Sequence, residues 1–329
     1  MRHGWLAITA LLCSFFASPV WPVQITDEQI TQVTESQSFN QTVSEIRQAL
    51  DNDETDKVWQ LINSQRPLNR EAAMQETVLH LRNLAQMTPK KEILLLELSR
   101  IQPAFSVRFM GDGYWITAPA FDFANRARIV LNRWQYTKLR KEIDILVQYD
   151  ELKLSSWLKY TTPDYKMRRE VVLGALPDLS KAQLDNLVAQ CLKDKALLWL
   201  PDNAVMARLA VLTRDEALYD LLWRRRADSY SLAALNDLAT YSRERWALEQ
   251  MMKSTVNPSL RTNAYQLMAS IKPLPVPVQT FLASRINDKK HGLQVAEIVA
   301  DHGNAGWLAS ILDSGSPVQR KHVNRVLSE

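Results

Sequence analysis

The sequence has 329 residues, of which 46% are hydrophobic and 23% charged, and its formal net charge is +4. This hydrophobic share is enough for a large buried core and, with charges of both signs interspersed, excludes an intrinsically disordered chain. The small net charge gives no support for a nucleic-acid partner, although the pI of about 9.0 allows weak attraction to anionic surfaces.

The first 23 residues have the pattern of a secretory signal peptide. Arg2 and His3 precede an apolar or small run over residues 5–17, and Pro19 and Pro22 follow it. The run is too short to span a bilayer, which needs roughly 20 apolar residues. We therefore predict export to the periplasm, with an uncleaved anchor as the alternative and no transmembrane segment beyond the signal.

Residues 24–103 are predicted to form a first group of helical hairpins. Apolar residues recur there at the spacing of one helix face in four segments, which prolines or an acidic turn separate. These segments are residues 39–50, 58–62, 73–84 and 93–101. The four helices would make two hairpins.

The helical pattern changes in residues 104–160. Apolar and aromatic residues alternate over 105–109 and again over 114–116, on either side of the turn signal at residues 111–113. This pattern predicts a small β-hairpin over 105–117, followed by a return to helical spacing. Because an isolated two-stranded hairpin is marginally stable in water, we expect it to lie against helices or against a partner.

Aromatic residues cluster in and just after this predicted hairpin. Such side chains supply a large contact area and are enriched in binding hot spots. The candidate partner-binding residues are Phe109, Tyr114, Trp115, Phe121 and Phe123, beside Phe105. The alternative is that these rings fill a gap between helical layers as the core of the hairpin.

Residues 161–329 repeat a two-helix pattern. Val205, Leu232, Leu260 and Leu293 each open a helical segment, in steps of 27, 28 and 33 residues. In three of the four units the second helix carries apolar residues at i, i+3 and i+4, which lie on one helix face. These triplets are Leu218, Leu221 and Leu222, then Leu248, Met251 and Met252, then Leu308, Ile311 and Leu312. A two-helix unit of this length cannot bury its apolar face alone, so we expect the units to stack.

Helix start signals accompany the repeats. Asn257-Pro258 and Ser316-Pro317 each pair a capping residue with proline, which is tolerated at the first helical position. Thr213 and Glu216 match a capping box. We predict that helices begin at these three places.

The repeats resemble HEAT or armadillo-type α-solenoid repeats. The resemblance is carried by one unit in particular, with Asn257, Pro258, Leu260, Arg261, Ala264, Leu267 and Met268 in its first half and Val278, Phe281 and Leu282 in its second. It covers about 125 residues well and the rest loosely. Tetratricopeptide repeats fit less well, because the units vary in length. What the resemblance implies is a scaffold whose concave face holds another protein.

The sequence contains no His-Glu-x-x-His, Gly-x-Ser-x-Gly, P-loop or dinucleotide-binding glycine pattern, and five histidines leave little for a metal site. Two weaker patterns remain. Ser156 and Lys159 match a Ser-x-x-Lys spacing, which is expected about once by chance. The polar group His291, Glu297, Asp301 and His302 is either a divalent-metal site or, as we favour, the solvated face and last turn of a helix.

Arginines and one cysteine complete the candidates. Arg168, Arg169 and the triple arginine at 224–226 would suit an anionic glycan or lipid, although the triple arginine also complements a helix C-terminus. Cys191 lies on an apolar helix face and is expected to be a buried structural residue.

The sequence thus predicts an all-α, right-handed superhelical stack of helical hairpins with a small β-hairpin insertion. The expected function is a non-catalytic periplasmic scaffold that binds another envelope protein through the solenoid groove. No catalytic, cofactor-binding or metal-binding residue is assigned, and the oligomeric state stays open. The alternatives are a cell-envelope hydrolase or metal-dependent enzyme, and a module that binds anionic glycans or lipids.

Overall fold

The computed structural model describes residues 22–193, 199–313 and 315–328. The predicted signal peptide falls almost entirely on residues 1–21, outside this part of the chain. The structure is 68% helical, with 18 helices and one three-stranded sheet among the described residues. The predicted fold class, all-α with a small β insertion, is confirmed. None of the described helices is both long enough and apolar enough to cross a membrane.

The chain divides into two compact units, Met1–Thr137 and Lys138–Glu329, which we call unit 1 and unit 2. The boundary lies within one long helix, Phe123–Gln148. The predicted segments 24–103, 104–160 and 161–329 follow changes of sequence pattern, and as domains they stay predictions.

Unit 1 combines helices with the small sheet. Its described elements are β1 (Val23–Gln24), α1 (Asp27–Thr34), α2 (Gln37–Asp51), α3 (Thr55–Asn63), α4 (Pro67–Asn83), α5 (Pro89–Arg100), β2 (Phe105–Gly111), β3 (Tyr114–Pro119) and the first part of α6 (Phe123–Gln148). Helix starts follow the sequence: Thr26 makes a capping box with Gln29, and Thr88 accepts a hydrogen bond from the backbone N–H of Lys91.

The core of unit 1 lies between these helices. Its largest fully buried side chains are Ile46, Leu50, Ile62, Leu81, Leu94, Leu95, Leu98, Phe121 and Phe123. Each residue comes from the apolar face that the sequence predicts, or from the segment that follows the hairpin. Burial of side chains of this size contributes roughly 1.5–3 kcal/mol each.

Unit 2 is helical throughout its described part. It continues from α6 with α7 (Leu154–Trp157), α8 (Tyr165–Ala175), a short 3-10 helix (Leu176–Asp178), α9 (Lys181–Leu192), α10 (Asn203–Thr213), α11 (Glu216–Arg224), α12 (Ser229–Thr240), α13 (Arg245–Ser254), α14 (Arg261–Ala269), α15 (Val276–Ile286), α16 (Gly292–Asp301), α17 (Ala305–Ser310) and α18 (Pro317–Leu327).

The helices of unit 2 pack in succession in two layers. In one layer α10, α12, α14, α16 and α18 each lie against the next, and in the other α9, α11, α13 and α15 do the same. Val205, Leu232 and Leu293 lie in α10, α12 and α16, and the predicted triplets begin in α11, α13 and α17. One continuous hydrophobic cluster runs through the stack. Unit 2 is therefore built from many helices that pack one after another along the chain.

Two of the three predicted helix starts differ from the structure. Asp215 caps α11, where we expected a capping box from Thr213, and its carboxylate accepts from the backbone N–H of Leu218 at 2.9 Å. At Asn257-Pro258, where we expected a second helix start, the chain forms a turn, and α14 begins only at Arg261. At Ser316 the prediction is confirmed, with Pro317 at the first helical position and a capping box to Gln319.

Asn257 does not cap α14 because its side chain is used elsewhere. Its amide Nδ2 donates to the backbone oxygens of Trp223 and Arg225, at 2.9 and 2.8 Å. These carbonyls lie at the end of α11, in the neighbouring two-helix unit. Helix ends leave backbone carbonyls without helical partners, so this buried amide satisfies two of them and ties adjacent units together.

Candidate functional site

The β-hairpin is the most exposed apolar feature among the described residues of unit 1. In β2, Phe109 is 46% exposed and Met110 59%, and in β3, Tyr114 is 62% exposed and Trp115 55%. Single exposed apolar residues are common, but four large ones in one two-stranded element are a concentration of exposed apolar surface, which is a mark of binding surfaces.

The pairing of β2 with β3 distributes these side chains over both faces of the hairpin. Met110 pairs with Trp115 and Phe109 with Ile116, in antiparallel register. Because successive pairs point to opposite faces, Met110 and Trp115 share one face, and Phe109 lies on the other with Tyr114. The outer half of the hairpin thus presents apolar groups in both directions.

An arginine orders the first of these faces. The guanidinium carbon of Arg108 lies 4.8 Å from the centre of the Trp115 ring, in a cation–π contact. The turn that joins the strands contains Gly113 at φ +86°, a conformation that glycine adopts without strain. The indole is therefore held in place while more than half of the Trp115 residue surface stays open.

The base of the hairpin is anchored in unit 1 by the short strand β1. This strand pairs in parallel with the start of β2, and the backbone N–H groups of Val23 and Ile25 donate to Ala104 and Ser106 at 2.7 and 2.8 Å. Ser106 and Ile25 are buried. A third strand at the base makes the hairpin more stable than two strands alone.

Glu71 of α4 is a second anchor, and the sequence did not point to it. Its carboxylate accepts a hydrogen bond from the backbone N–H of Ala104, one residue before β2, and its side chain is buried. Burial raises the pKa of this carboxyl, and hydrogen bonds from the backbone of Ala104 and Phe105 partly oppose the rise. A buried carboxylate that reaches across 33 residues leaves no local sequence signal.

Two of the five sequence candidates have a different role. Phe121 and Phe123 are 2% and 0% exposed and belong to the hydrophobic core of unit 1. They fix the segment that leaves the hairpin, and a partner could not reach their rings in this structure. Phe109, Tyr114 and Trp115 remain as surface candidates, and Met110 joins them. Partner binding by these residues stays a prediction.

The catalytic and metal candidates from the sequence are not assembled into a site. Ser156 and Lys159 are exposed; Ser156 lies in the four-residue helix α7, and no hydrogen bond joins the two side chains in the described structure. His302 Nδ1 lies 2.7 Å from the Ile298 oxygen, and Glu297 and Asp301 face solvent. Across the described ranges, no group of three or more His, Cys, Asp or Glu residues could hold a metal ion.

Three of the five candidate anion-binding arginines have structural partners. Arg168 donates to Asp164 and stacks on Trp157, with the guanidinium carbon 4.6 Å from the ring centre. Arg169 pairs with Glu170 and Asp202, and Arg225 donates to the Pro201 oxygen at 2.8 Å. Only the exposed Arg224 and Arg226 of the group lack such contacts in the described residues.

No protein-family model, no curated protein and no solved structure matches the chain.

Proposed function

We propose that this protein is a non-catalytic scaffold that binds another protein of the cell envelope. The exposed apolar hairpin, with Phe109, Met110, Tyr114 and Trp115, is the observation that carries the proposal. The signal-peptide pattern of the first 23 residues supports a periplasmic location. In this proposal the helical stack belongs to the HEAT or armadillo type and offers a groove to the same partner.

The anchoring of the hairpin favours binding over a purely structural role. Glu71 and the buried Phe121 and Phe123, all outside the predicted signal peptide, already hold its base, so the outer rings are not needed to fill the core. A rigid support lowers the entropy that binding would otherwise cost. Large aromatic rings on a fixed support are the usual anchors of protein interfaces.

Photo-crosslinking in the producing cell tests the proposal. We expect a photoreactive phenylalanine analogue at position 109 or 115 to give one and the same adduct with another envelope protein. A matched position is Ile129 of α6, which is 59% exposed but lies outside the hairpin, and it should give none. Alanine at both Phe109 and Trp115 should weaken binding to the purified partner at least tenfold, since hot-spot residues each contribute about 2 kcal/mol or more.

The proposal fails if the hairpin positions give no adduct beyond that at position 129, or if the double alanine variant binds as tightly as the original protein. A scaffold should also be indifferent to Ser156→Ala and Glu297→Ala. Loss of a hydrolytic or metal-dependent activity in either variant would favour the enzyme alternative instead.

A further inference from the structure

A second surface feature lies in unit 2 and is independent of the hairpin. A cavity of about 300 Å³ opens where the turn between α13 and α14 meets the turn between α15 and α16. Arg261, Tyr265, Arg285, Asp288 and His291 line it, together with the exposed Val256. Its volume is at the lower end of the range for small-molecule sites.

Two guanidinium groups at this cavity make no salt bridge among the described residues, although the charge of Arg285 acts on Asp288. Arg261 donates its Nε to the backbone oxygen of Thr255 at 3.0 Å, which orients the group and leaves its terminal nitrogens free. Arg285 lies over the Phe281 ring, 4.8 Å from its centre. Neither arginine makes a salt bridge to any described residue, whereas Arg140, Arg168 and Arg169 all do.

Tyr265 places a hydroxyl at the cavity wall. The residue as a whole is 5% exposed, but its oxygen is not among the buried side-chain atoms that lack a partner, so it is open to the cavity. An open hydroxyl in this position can donate a hydrogen bond to a bound anion. Burial raises the pKa of Tyr265, and the charges of Arg285 and Arg261 oppose the rise, which places both guanidinium groups within electrostatic reach of the hydroxyl.

Asp288 sets the charge balance. Its Oδ1 accepts the backbone N–H groups of Lys290 and His291, both at 2.8 Å, and these bonds lower its pKa, so it is ionised at neutral pH. The two arginines and the one aspartate of the lining give a net charge of +1, with the imidazole of His291 counted as neutral. This balance favours a singly charged anionic group over a highly charged one.

We propose that this cavity binds a phosphate or carboxylate group, held by the guanidinium groups of Arg261 and Arg285 with the Tyr265 hydroxyl as a further donor. Planar guanidinium groups suit both anions, because each can donate two parallel hydrogen bonds. The group belongs to a free small molecule or to a lipid headgroup. Neither arginine is among the anion-binding candidates that the sequence analysis named, Arg168, Arg169 and the triple arginine at 224–226.

Titration of the purified full-length chain tests this proposal. The probes are inorganic phosphate and acetate at constant ionic strength, with chloride as the reference, and the readout is the rise of Tm with concentration. We expect Arg285→Gln to weaken binding of the preferred anion roughly tenfold or more, because charge-assisted hydrogen bonds are lost. Tyr265→Phe should weaken it less and leave the Tm without ligand unchanged or higher, since the hydroxyl has no partner to lose.

Arg243→Gln is the matched control. Arg243 is also exposed and lines a separate cavity, at the other end of α14, so its loss should leave anion binding unchanged.

A parallel experiment measures binding to vesicles of phosphatidylglycerol mixed with phosphatidylcholine. If Arg285→Gln weakens binding to vesicles but not binding of phosphate or acetate, the ligand is a lipid headgroup. If it also weakens binding of phosphate or acetate, the ligand is a small molecule. Equal behaviour of Arg285→Gln and Arg243→Gln in both experiments would overturn the proposal, as would no preference of any probe over chloride.

Discussion

At the scale of single residues, Glu71 joins the hairpin to the helices of unit 1. Its carboxylate is buried and accepts the N–H of Ala104, so the start of β2 is fixed to α4. The same burial raises the pKa of this carboxyl above its ordinary value of 4.5. The native state therefore holds a proton on Glu71 at pH values where the unfolded chain has already released it.

This shift has a defined sign in the pH dependence of stability. Between the ordinary pKa and the raised one, the native state binds more protons than the unfolded state, so the free energy of unfolding decreases as pH rises. Glu71→Gln cannot ionise and should lack this component. Denaturant unfolding of both proteins from pH 4 to 8 should show the stability of the original protein decreasing relative to Glu71→Gln over this window. A difference that is constant with pH would contradict the expectation.

Phe121 and Phe123 show what a residue-level pattern does not contain. The sequence places them beside Tyr114 and Trp115 in one aromatic cluster, and all four are equally suited to a core or to a surface. The structure separates them because β3 ends at Pro119 and the chain then turns into the helical layer. Only the three-dimensional position of the hairpin base decides which rings are buried.

At the scale of secondary-structure elements, the hairpin and most repeat helices were predictable. Alternation with period 2 around a glycine turn predicts β2 and β3, and apolar triplets at helical spacing predict α11, α13 and α17. The start of α14 could not be predicted, because the Asn257 amide donates to carbonyls at the end of α11, 32 to 34 residues away. The local sequence around a capping residue and a proline does not indicate such a distant hydrogen-bond partner.

Asn257→Ala tests the connection between neighbouring two-helix units. The change leaves the buried carbonyl of Trp223 and the partly buried carbonyl of Arg225 without their donor, which should cost about 1–3 kcal/mol. For a unit of this size the Tm should decrease by several °C. The matched control is Asn236→Ala on the exposed face of α12, which should change the Tm by less than about 1 °C. Equal effects of the two changes would show that the Asn257 hydrogen bonds do not hold neighbouring helix pairs of unit 2 together.

At the scale of the whole chain, the packing within unit 2 limits how far a disturbance travels. Described helices lie against their near neighbours in the stack, so stability is expected to be a sum of local and nearest-neighbour terms. This differs from a globule with one centre, in which a single cavity weakens every element.

Two core changes in unit 2 provide a reciprocal test of this view. Leu235 of α12 and Leu282 of α15 are fully buried, and replacement of either by alanine should cost about 2–5 kcal/mol. Hydrogen exchange should then increase most in α12 and its neighbours α10, α13 and α14 for Leu235→Ala, and most in α15 and its neighbours α13, α16 and α18 for Leu282→Ala. Indistinguishable exchange patterns for the two variants would contradict the nearest-neighbour description.

The thiol of Cys191 has a consequence for handling the protein. The residue is fully buried in α9, and burial raises its pKa to about 12, so almost no reactive thiolate exists at neutral pH. Alkylating reagents and oxidants reach the sulfur only when α9 opens. Labelling at this position therefore counts opening events, and the native chain resists covalent cross-linking through Cys191 even where oxidants are plentiful.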